Sequence, residues 1–387
     1  MEKNDVLIGT AEGLGTSGEG IVKADGVTVF VPYLLPGERA EIKIVHSKKG
    51  IANGKVIEVH TPAQERVRPV CPVFTRCGGC QLQHLSYPFQ LKFKTRLVED
   101  ALRKIGGLEV KAAPCVPSER EYGYRNKLQL PVGRRNGENA VGFYAERSHR
   151  IVPTDTCPIH PKWSGELISA LKQFMEKNGI HGYDDETGEG EIRHIVVREV
   201  KRKYLVTLVT AVKEIPGIES LLTLLESIFG QYSFYLNYHP EQTNVIFGEE
   251  FRLVKGEGVY EGEESGIVYE AGASTFLQVN EGVRNKLYEA AVSLVKEGET
   301  ALDCYAGGGL LMGILVMKIM TTSLSICRIC SAVFIPSTNL MAMSMTMMSY
   351  AAVYPSRISS PSANVVTLNF SPLSSSYCSR YRIRSSR

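Results

Sequence analysis

Four of the nine cysteines are spaced for thiolate chemistry. Cys71, Cys77 and Cys80 stand as C-x5-C-x2-C, and Cys157 follows far downstream in TDTCPIHP. Three close thiols and one distant thiol can close a four-ligand site. An all-thiolate donor set suits an iron-sulfur cluster of the 4Fe-4S kind or a structural zinc (Zn), and in a zinc version His84 or His160 could contribute. Gly78 and Gly79, between the last two close thiols, are expected to let the backbone approach sulfur without a Cβ. Cys115 falls outside this pattern and reads as a small buried hydrophobe.

A second set of residues could hold a small-molecule donor. ALDCYAGGG reads as a buried strand ending at Asp303, followed by a glycine turn leading toward a helix. In open α/β sheets ligands bind at strand C-terminal ends, where glycines expose backbone N–H groups. Taken alone, such a turn fits a plain tight bend equally well. Upstream lies ASTFLQVN, residues 273–280, and further upstream YGYRNKLQL, residues 122–130.

The elements that must position these residues fall into four stretches. Residues 1–60 alternate apolar and polar side chains between glycine turns, as in GVTVFVP and AEIKIV, which predicts a small β-barrel. Residues 61–268 carry the cysteine loop and a helical pattern through Leu91, Leu97, Val98, Ala101, Leu102 and Ile105, ended by Gly106 and Gly107. Mixed strands and helices come next, giving a central α+β domain. Residues 269–318 open a third unit, with a helix, a strand and the glycine turn. Residues 319–387 change character. From Thr321 onward there are six Arg, no Lys, 17 Ser and no Asp or Glu, and no glycine follows Gly313. That composition cannot continue a nucleotide-binding sheet, and a frameshift explains it better than selection. The expectation is an aberrant, unstructured tail.

Charge and hydropathy narrow the function classes. The formal charge of +3 resides in the tail: without its six Arg the chain holds 38 basic and 41 acidic residues. RNA contact must therefore come from local patches, and Lys48, Lys49, Arg66, Arg68, Arg125 and Lys127 are the candidates. The charged start MEKNDVLIGT has no apolar signal core, and no stretch reaches the roughly 20 apolar residues of a membrane span. A cytoplasmic protein without disulfides is expected.

The stretch EGIVKADGVTVFVPYLLPGERAEIKI resembles the TRAM domain, an OB-like RNA-binding barrel. With CPVFTRCGGCQLQH, YRNK, F-x-Q-x-N and D-x-Y-x-G-x-G in order, residues 1 to about 318 resemble the iron-sulfur-containing RNA m5U methyltransferase family, of the 23S rRNA uracil-5-methyltransferase type. The C-x3-C-x2-C motif of radical methylthiotransferases, which also carry TRAM barrels, is absent. The resemblance implies a Rossmann-like domain using S-adenosyl-L-methionine, with Gln278, Tyr305, Gly307 and Gly309 at the donor and Cys71, Cys77, Cys80 and Cys157 on a 4Fe-4S cluster. It implies RNA as partner, with 23S rRNA as substrate.

Uracil C5 is a weak nucleophile. In the family a cysteine thiolate adds to C6, the enolate takes the methyl group, and a carboxylate removes the C5 proton. The base is flipped out of its stack to be reached. The nucleophile belongs to an S-C-N/D-P motif. Here Cys327, Cys330 and Cys378 lack a following Asn/Asp-Pro, and no acid lies beyond Asp303. The catalytic nucleophile and base are therefore absent. The expectation is a methyltransferase by family whose present chain is inactive, the alternative being a non-catalytic RNA-binding and metal-cluster fragment.

Overall fold

The computed structural model describes residues 1–135, 137–296, 301–303, 309–322, 329–331, 365–369 and 380–384. Two units result: Met1–Gly123 with Pro131–Ile168, and Tyr124–Leu130 with Ser169–Arg387. The expected central domain, 61–268, is thus not one body. Its cysteine loop groups with the barrel, and most of its sheet groups with the C-terminal elements.

In the first unit, β1 (Val6–Leu14), β2 (Gly20–Ala24), β3 (Val27–Val31), β4 (Arg39–Lys48) and β5 (Ile51–Thr61) close a barrel in the order β1-β2-β3-β5-β4. The period-two pattern sends Val22, Val29, Val31, Ala40, Ile42, Ile44 and Ala52 inward, all fully buried. Closure needs the parallel pairing of β3 with β5, Thr28 opposite Ile51. The β4–β5 hairpin turns through Lys49 (φ 49°) and Gly50 (φ 80°). Two positive φ values are the signature of the type I′ turn that matches strand twist.

Helix α1 (Tyr87–Lys104) follows the cysteine loop, with a proline in its first turn and Arg103 and Lys104 in its last. Both favour those ends. It stops as expected: the amides of Ile105 and Gly106 return to Ala101 O, and Gly107 adopts φ 63°. Its apolar stripe is not a core face, because only Phe93 is buried, while Val98 and Ile105 are exposed. The last residues of β6 (Lys127–Arg135) then pair with β7 (Glu138–Tyr144), and β7 with β8 (Ile151–Pro153). Helix α2 (Trp163–Asn178) begins in this unit and ends in the second.

The second unit contains β9 (Ile192–Val200), β10 (Lys203–Thr210), α3 (Ile218–Phe229), β11 (Tyr232–Tyr238) and β12 (Glu250–Lys255). Its sheet runs β12-β11-β10-β9, and the first residues of β6 continue it beside β9. The parallel β10–β11 pair needs a crossover, which α3 supplies by burying Leu221, Leu222, Leu225 and Phe229. Beyond lie β13 (Tyr260–Glu264), β14 (Ile267–Ala271), α4 (Glu281–Leu294), β15 (Ala301–Asp303) and α5 (Leu310–Thr322). Leu310, Met312, Ile314, Leu315 and Val316 of α5 share one core with Tyr260, Ile267, Tyr269 and Val292. Gly313 permits that approach, since a Cβ there would stand 3.0 Å from Ile267. The longest apolar run of the sequence is therefore core, and no described helix is long and apolar enough to cross a membrane.

The stretch 319–387, expected to be unstructured, contributes the end of α5 and three short strands: β16 (Ile329–Ser331), β17 (Val365–Asn369) and β18 (Arg380–Arg384). β16 pairs in parallel with β15, and β18 pairs with both β14 and β17. Those residues are therefore described as strands and not as unstructured chain. The remainder of the stretch lies outside the described residues.

Candidate cofactor and RNA-binding sites

All four cysteines of the spaced set are in the first unit, each partly buried. The Cys157 thiol is pushed up to about 12, first by burial and then by the charges that Cys80, Cys71 and Cys77 would carry. Burial also raises the Cys77 thiol, which Cys71 raises further and the Gly79 amide opposes. The Gly79 N–H donates to Cys77 Sγ over 3.4 Å. Gly78 serves a different purpose from the one expected: a Cβ there would meet the Glu146 backbone nitrogen at 2.7 Å. Its amide donates to Tyr144 O at 2.9 Å, so the glycine docks the loop on the end of β7. Among the described residues, no three His, Cys, Asp or Glu side chains are grouped to hold a metal ion as they stand. The four thiols influence one another electrostatically without forming a closed coordination shell. Cys115 stands outside the set, its amide donating to Thr95 Oγ1 at 2.9 Å.

His84 is buried against Tyr33 and Phe74, at ring-centroid distances of 5.8 and 5.5 Å. Neither ring nitrogen has a hydrogen-bond partner among the described residues. Burial, then the Arg66 charge, lowers its pKa to about 4, against a partial opposing effect of Glu38. His160 stacks on Phe143 at 6.0 Å.

The basic candidates separate. Lys48 and Lys49 lie exposed at the β4–β5 turn, and Arg68 is exposed in the loop beyond. Arg66 is differently employed. Its Nε and Nη2 grip the two carboxylate oxygens of Glu38 at 2.5 and 2.7 Å, and Nη2 also donates to Tyr33 O at 2.7 Å. Glu38 is fully buried and further accepts from the Leu35 and Ala63 amides. Arg66 thus serves as an internal strut, because removing it would strand a buried carboxylate. A basic stretch of sequence gives no sign of this, since Glu38 lies 28 positions away.

Arg125 and Lys127 belong to the second unit, where the YRNK and F-x-Q-x-N segments meet. The Asn126 amide donates to Val279 O at 2.9 Å, and Arg125 forms a bridge with Asn280. On the other side the Glu199 amide donates to Asn126 O at 2.8 Å. Residues 124–127 are therefore stitched between β9 and the segment that leads into α4. Asn280 caps that helix, its Oδ1 accepting from the Val283 amide at 3.2 Å. Gln278 is exposed beside it. Lys127 is held below the usual lysine range by burial and by Arg198 and Arg125. Arg198 is not among the residues expected from sequence, although a lone arginine in the apolar run HIVVREV is the available signal.

Gly309, at φ 71°, precedes α5, and its carbonyl accepts the Gly313 amide at 3.0 Å. Tyr305 and Gly307 lie outside the described residues, as do Cys327 and Cys378. Cys330 falls within β16, so its backbone alone is described.

Comparison with known proteins bears on these segments directly. Residues 5–57 match the TRAM domain, closely bounding the barrel. An RNA methyltransferase of Halalkalibacterium halodurans is 38% identical over 315 residues, covering 80% of this chain and 69% of its own length. One of Clostridium tetani is 37% identical over 314 residues, covering 80% and 68%. Among solved structures, the Pyrococcus abyssi tRNA (uracil-54, C5)-methyltransferase in complex with S-adenosyl-L-homocysteine superposes with a TM-score of 0.61 at 27% identity. That alignment covers 81% of this chain and 71% of the other. With its TRAM barrel and this shared sequence, the chain belongs to the RNA methyltransferase family.

Proposed function

We propose that the chain is built for S-adenosyl-L-methionine-dependent methylation of uracil C5 in RNA, with 23S rRNA as the substrate. The observation that carries this reading is the pairing of residues 124–127 with Val279 and Asn280. It brings half-buried cations next to the exposed Gln278, where a donor and an RNA strand would have to meet. The Pyrococcus relative acts on uracil C5 of tRNA and was captured with the spent donor, which supports the reaction class and the cofactor. The choice of rRNA rests on the family resemblance carried by the barrel and the cysteine set. Cys-thiolate addition to C6 is the mechanism assigned, and its nucleophile is missing here: no Asp or Glu follows Asp303, and no cysteine precedes Asn/Asp-Pro. A reading-frame change after about residue 318 accounts for that absence.

Cys71, Cys77, Cys80 and Cys157 would hold a 4Fe-4S cluster. The donor chemistry fits: burial and mutual repulsion keep the Cys157 thiol protonated unless cationic iron compensates. A single zinc would draw four thiolates to within about 4 Å of one another, given Zn–S bonds near 2.3 Å. Four thiolates suit either group, and the iron-sulfur cluster is the one the family resemblance implies. The cluster, when bound, supplies a rigid cross-link between the 71–80 loop and Cys157. The loop itself is docked by Gly78 on Tyr144 and by Gln83, whose side chain accepts from the Cys71 amide at 3.3 Å.

A second reading, a non-catalytic RNA-binding fragment, is favoured for the polypeptide as it stands by the missing nucleophile. The two are separated by methyl transfer to unmodified 23S rRNA and tRNA, using a frame-restored chain. Formation of 5-methyluridine in 23S rRNA supports the proposal. Methylation of tRNA alone would reassign the substrate.

A further inference from the structure

Three described arginines of the second unit are buried, and they are treated differently: Arg193 donates to His239 O at 3.0 Å. Arg284 (2% exposed) donates to Glu264 at 2.7 Å and lies 3.5 Å from Glu281. Arg198 (3% exposed) has no such carboxylate, and its Nε and Nη1 have no hydrogen-bond partner among the described residues. It points from β9 toward the apolar core, for its cross-strand neighbour Leu205 and the residue two along, Val200, both belong to that core with Tyr260 and Tyr269. Burial brings the guanidinium down to about 10, with Tyr269 opposing, so it remains charged at neutral pH. A buried cation left unpaired is among the costliest features a fold can carry.

The groups that act on Arg198's surroundings add positive charge. Lys127 feels both Arg198 and Arg125; Arg198 is in β9, Lys127 opens the strand beside it, and Arg125 lies two residues before that strand. Arg125 and Lys127 are half-buried. The unpartnered Nε–H and Nη1–H lie on different sides of the guanidinium, and each can donate to an oxyanion oxygen. We propose that Arg198, with Arg125 and Lys127, forms an oxyanion pocket that takes one backbone phosphodiester of the RNA beside the target nucleotide. A carboxylate of the methyl donor has the same oxygen geometry, but it arrives with an ammonium and a sulfonium that three cations would repel. The RNA assignment rests on the proposed substrate class, whereas the oxyanion chemistry does not.

Arg198→Met, apolar and similar in length, is the direct test. Without added anion the variant should unfold at or above the wild-type temperature, because a buried unpaired charge has been removed. At matched ionic strength, inorganic phosphate should raise the midpoint of the wild type and leave the variant unmoved. A uridine-containing single-stranded RNA should bind the variant roughly tenfold or more weakly, the scale of one charge-assisted contact. The slope of log K against log salt should become shallower by about 0.7. S-adenosyl-L-homocysteine affinity should be unchanged. Equal RNA affinity and slope, equal phosphate stabilisation of both proteins, or loss of S-adenosyl-L-homocysteine binding in place of RNA binding would each overturn the proposal. Should the variant not fold, single neutral methylphosphonate linkages scanned along the RNA test the wild type instead. One linkage next to the uridine should cost a comparable loss, and the absence of any such linkage overturns the pocket. If RNA affinity depends on Arg198 but no restored chain methylates uracil, the functional reading fails and the pocket stands.

Discussion

The amide of Asn126 donates to the carbonyl of Val279 over 2.9 Å, joining two segments that are remote in sequence. The bond holds the YRNK strand against the residues that start α4, so the cap of that helix and the placement of Arg125 depend on one another. Asn280 serves both, as helix cap and as the bridge partner of Arg125. Asn280→Ala should cost about 1 kcal/mol in denaturant unfolding, the usual loss for a cap, and Asn280→Asp should restore most of it. Equal midpoints for Asn280→Ala and the wild type would show that the cap does not hold the segment.

The barrel and α1 are legible in the sequence because period-two alternation and paired glycines report local geometry directly. The segments at 124–127 and 276–280 are legible as motifs, but their hydrogen-bonded union is not, since no local pattern encodes a contact of that sequence separation. Arg66 illustrates the opposite failure. Its charge suggests exposure, yet its engagement by Glu38 depends on the chain path between β4 and the cysteine loop. Gly78 is necessary for a different neighbour from the one its motif suggests, the Glu146 backbone rather than a sulfur.

Acid should destabilise the first unit in two stages. His84 has a folded pKa of about 4, below its usual 6.5, because burial and Arg66 disfavour its charged form. The folded state therefore binds fewer protons than the unfolded one, so this contribution is complete above pH 6.5 and is lost as pH falls toward 4. It amounts to about 3 kcal/mol across the window. Burial alone would raise the Glu38 carboxyl, but hydrogen bonds from Arg66, Leu35 and Ala63 outweigh it and hold it below its usual 4.5. Its stabilisation is present above that value and disappears at still lower pH. His84→Leu should flatten the upper stage in pH-dependent unfolding and leave the lower one. Unchanged dependence between pH 6.5 and 4 would show that His84 takes up its proton equally in the folded and unfolded states.

Protein purified without oxygen should be brown and contain iron, with a broad shoulder near roughly 400 nm from thiolate-bound clusters. Cys157→Ser should lose the iron, and Cys115→Ser should retain it. A colourless protein with one zinc per chain would remove the iron assignment while keeping the ligands. A metal-free protein of full stability would remove both.

On the function proposed above, this chain carries the frame of an RNA uracil-C5 methyltransferase without its nucleophile. Without a thiolate on C6 the enolate cannot form, and a bound methyl donor meets no carbon able to attack it. The most direct measurement is nucleoside mass spectrometry of unmodified 23S rRNA after incubation with S-adenosyl-L-methionine and either this chain or a version restored to an S-C-N/D-P motif and a downstream acid. The expected result is 5-methyluridine from the restored version and none from this chain. Comparable 5-methyluridine from the chain as it stands would contradict the account and assign the nucleophile to Cys327, Cys330 or Cys378.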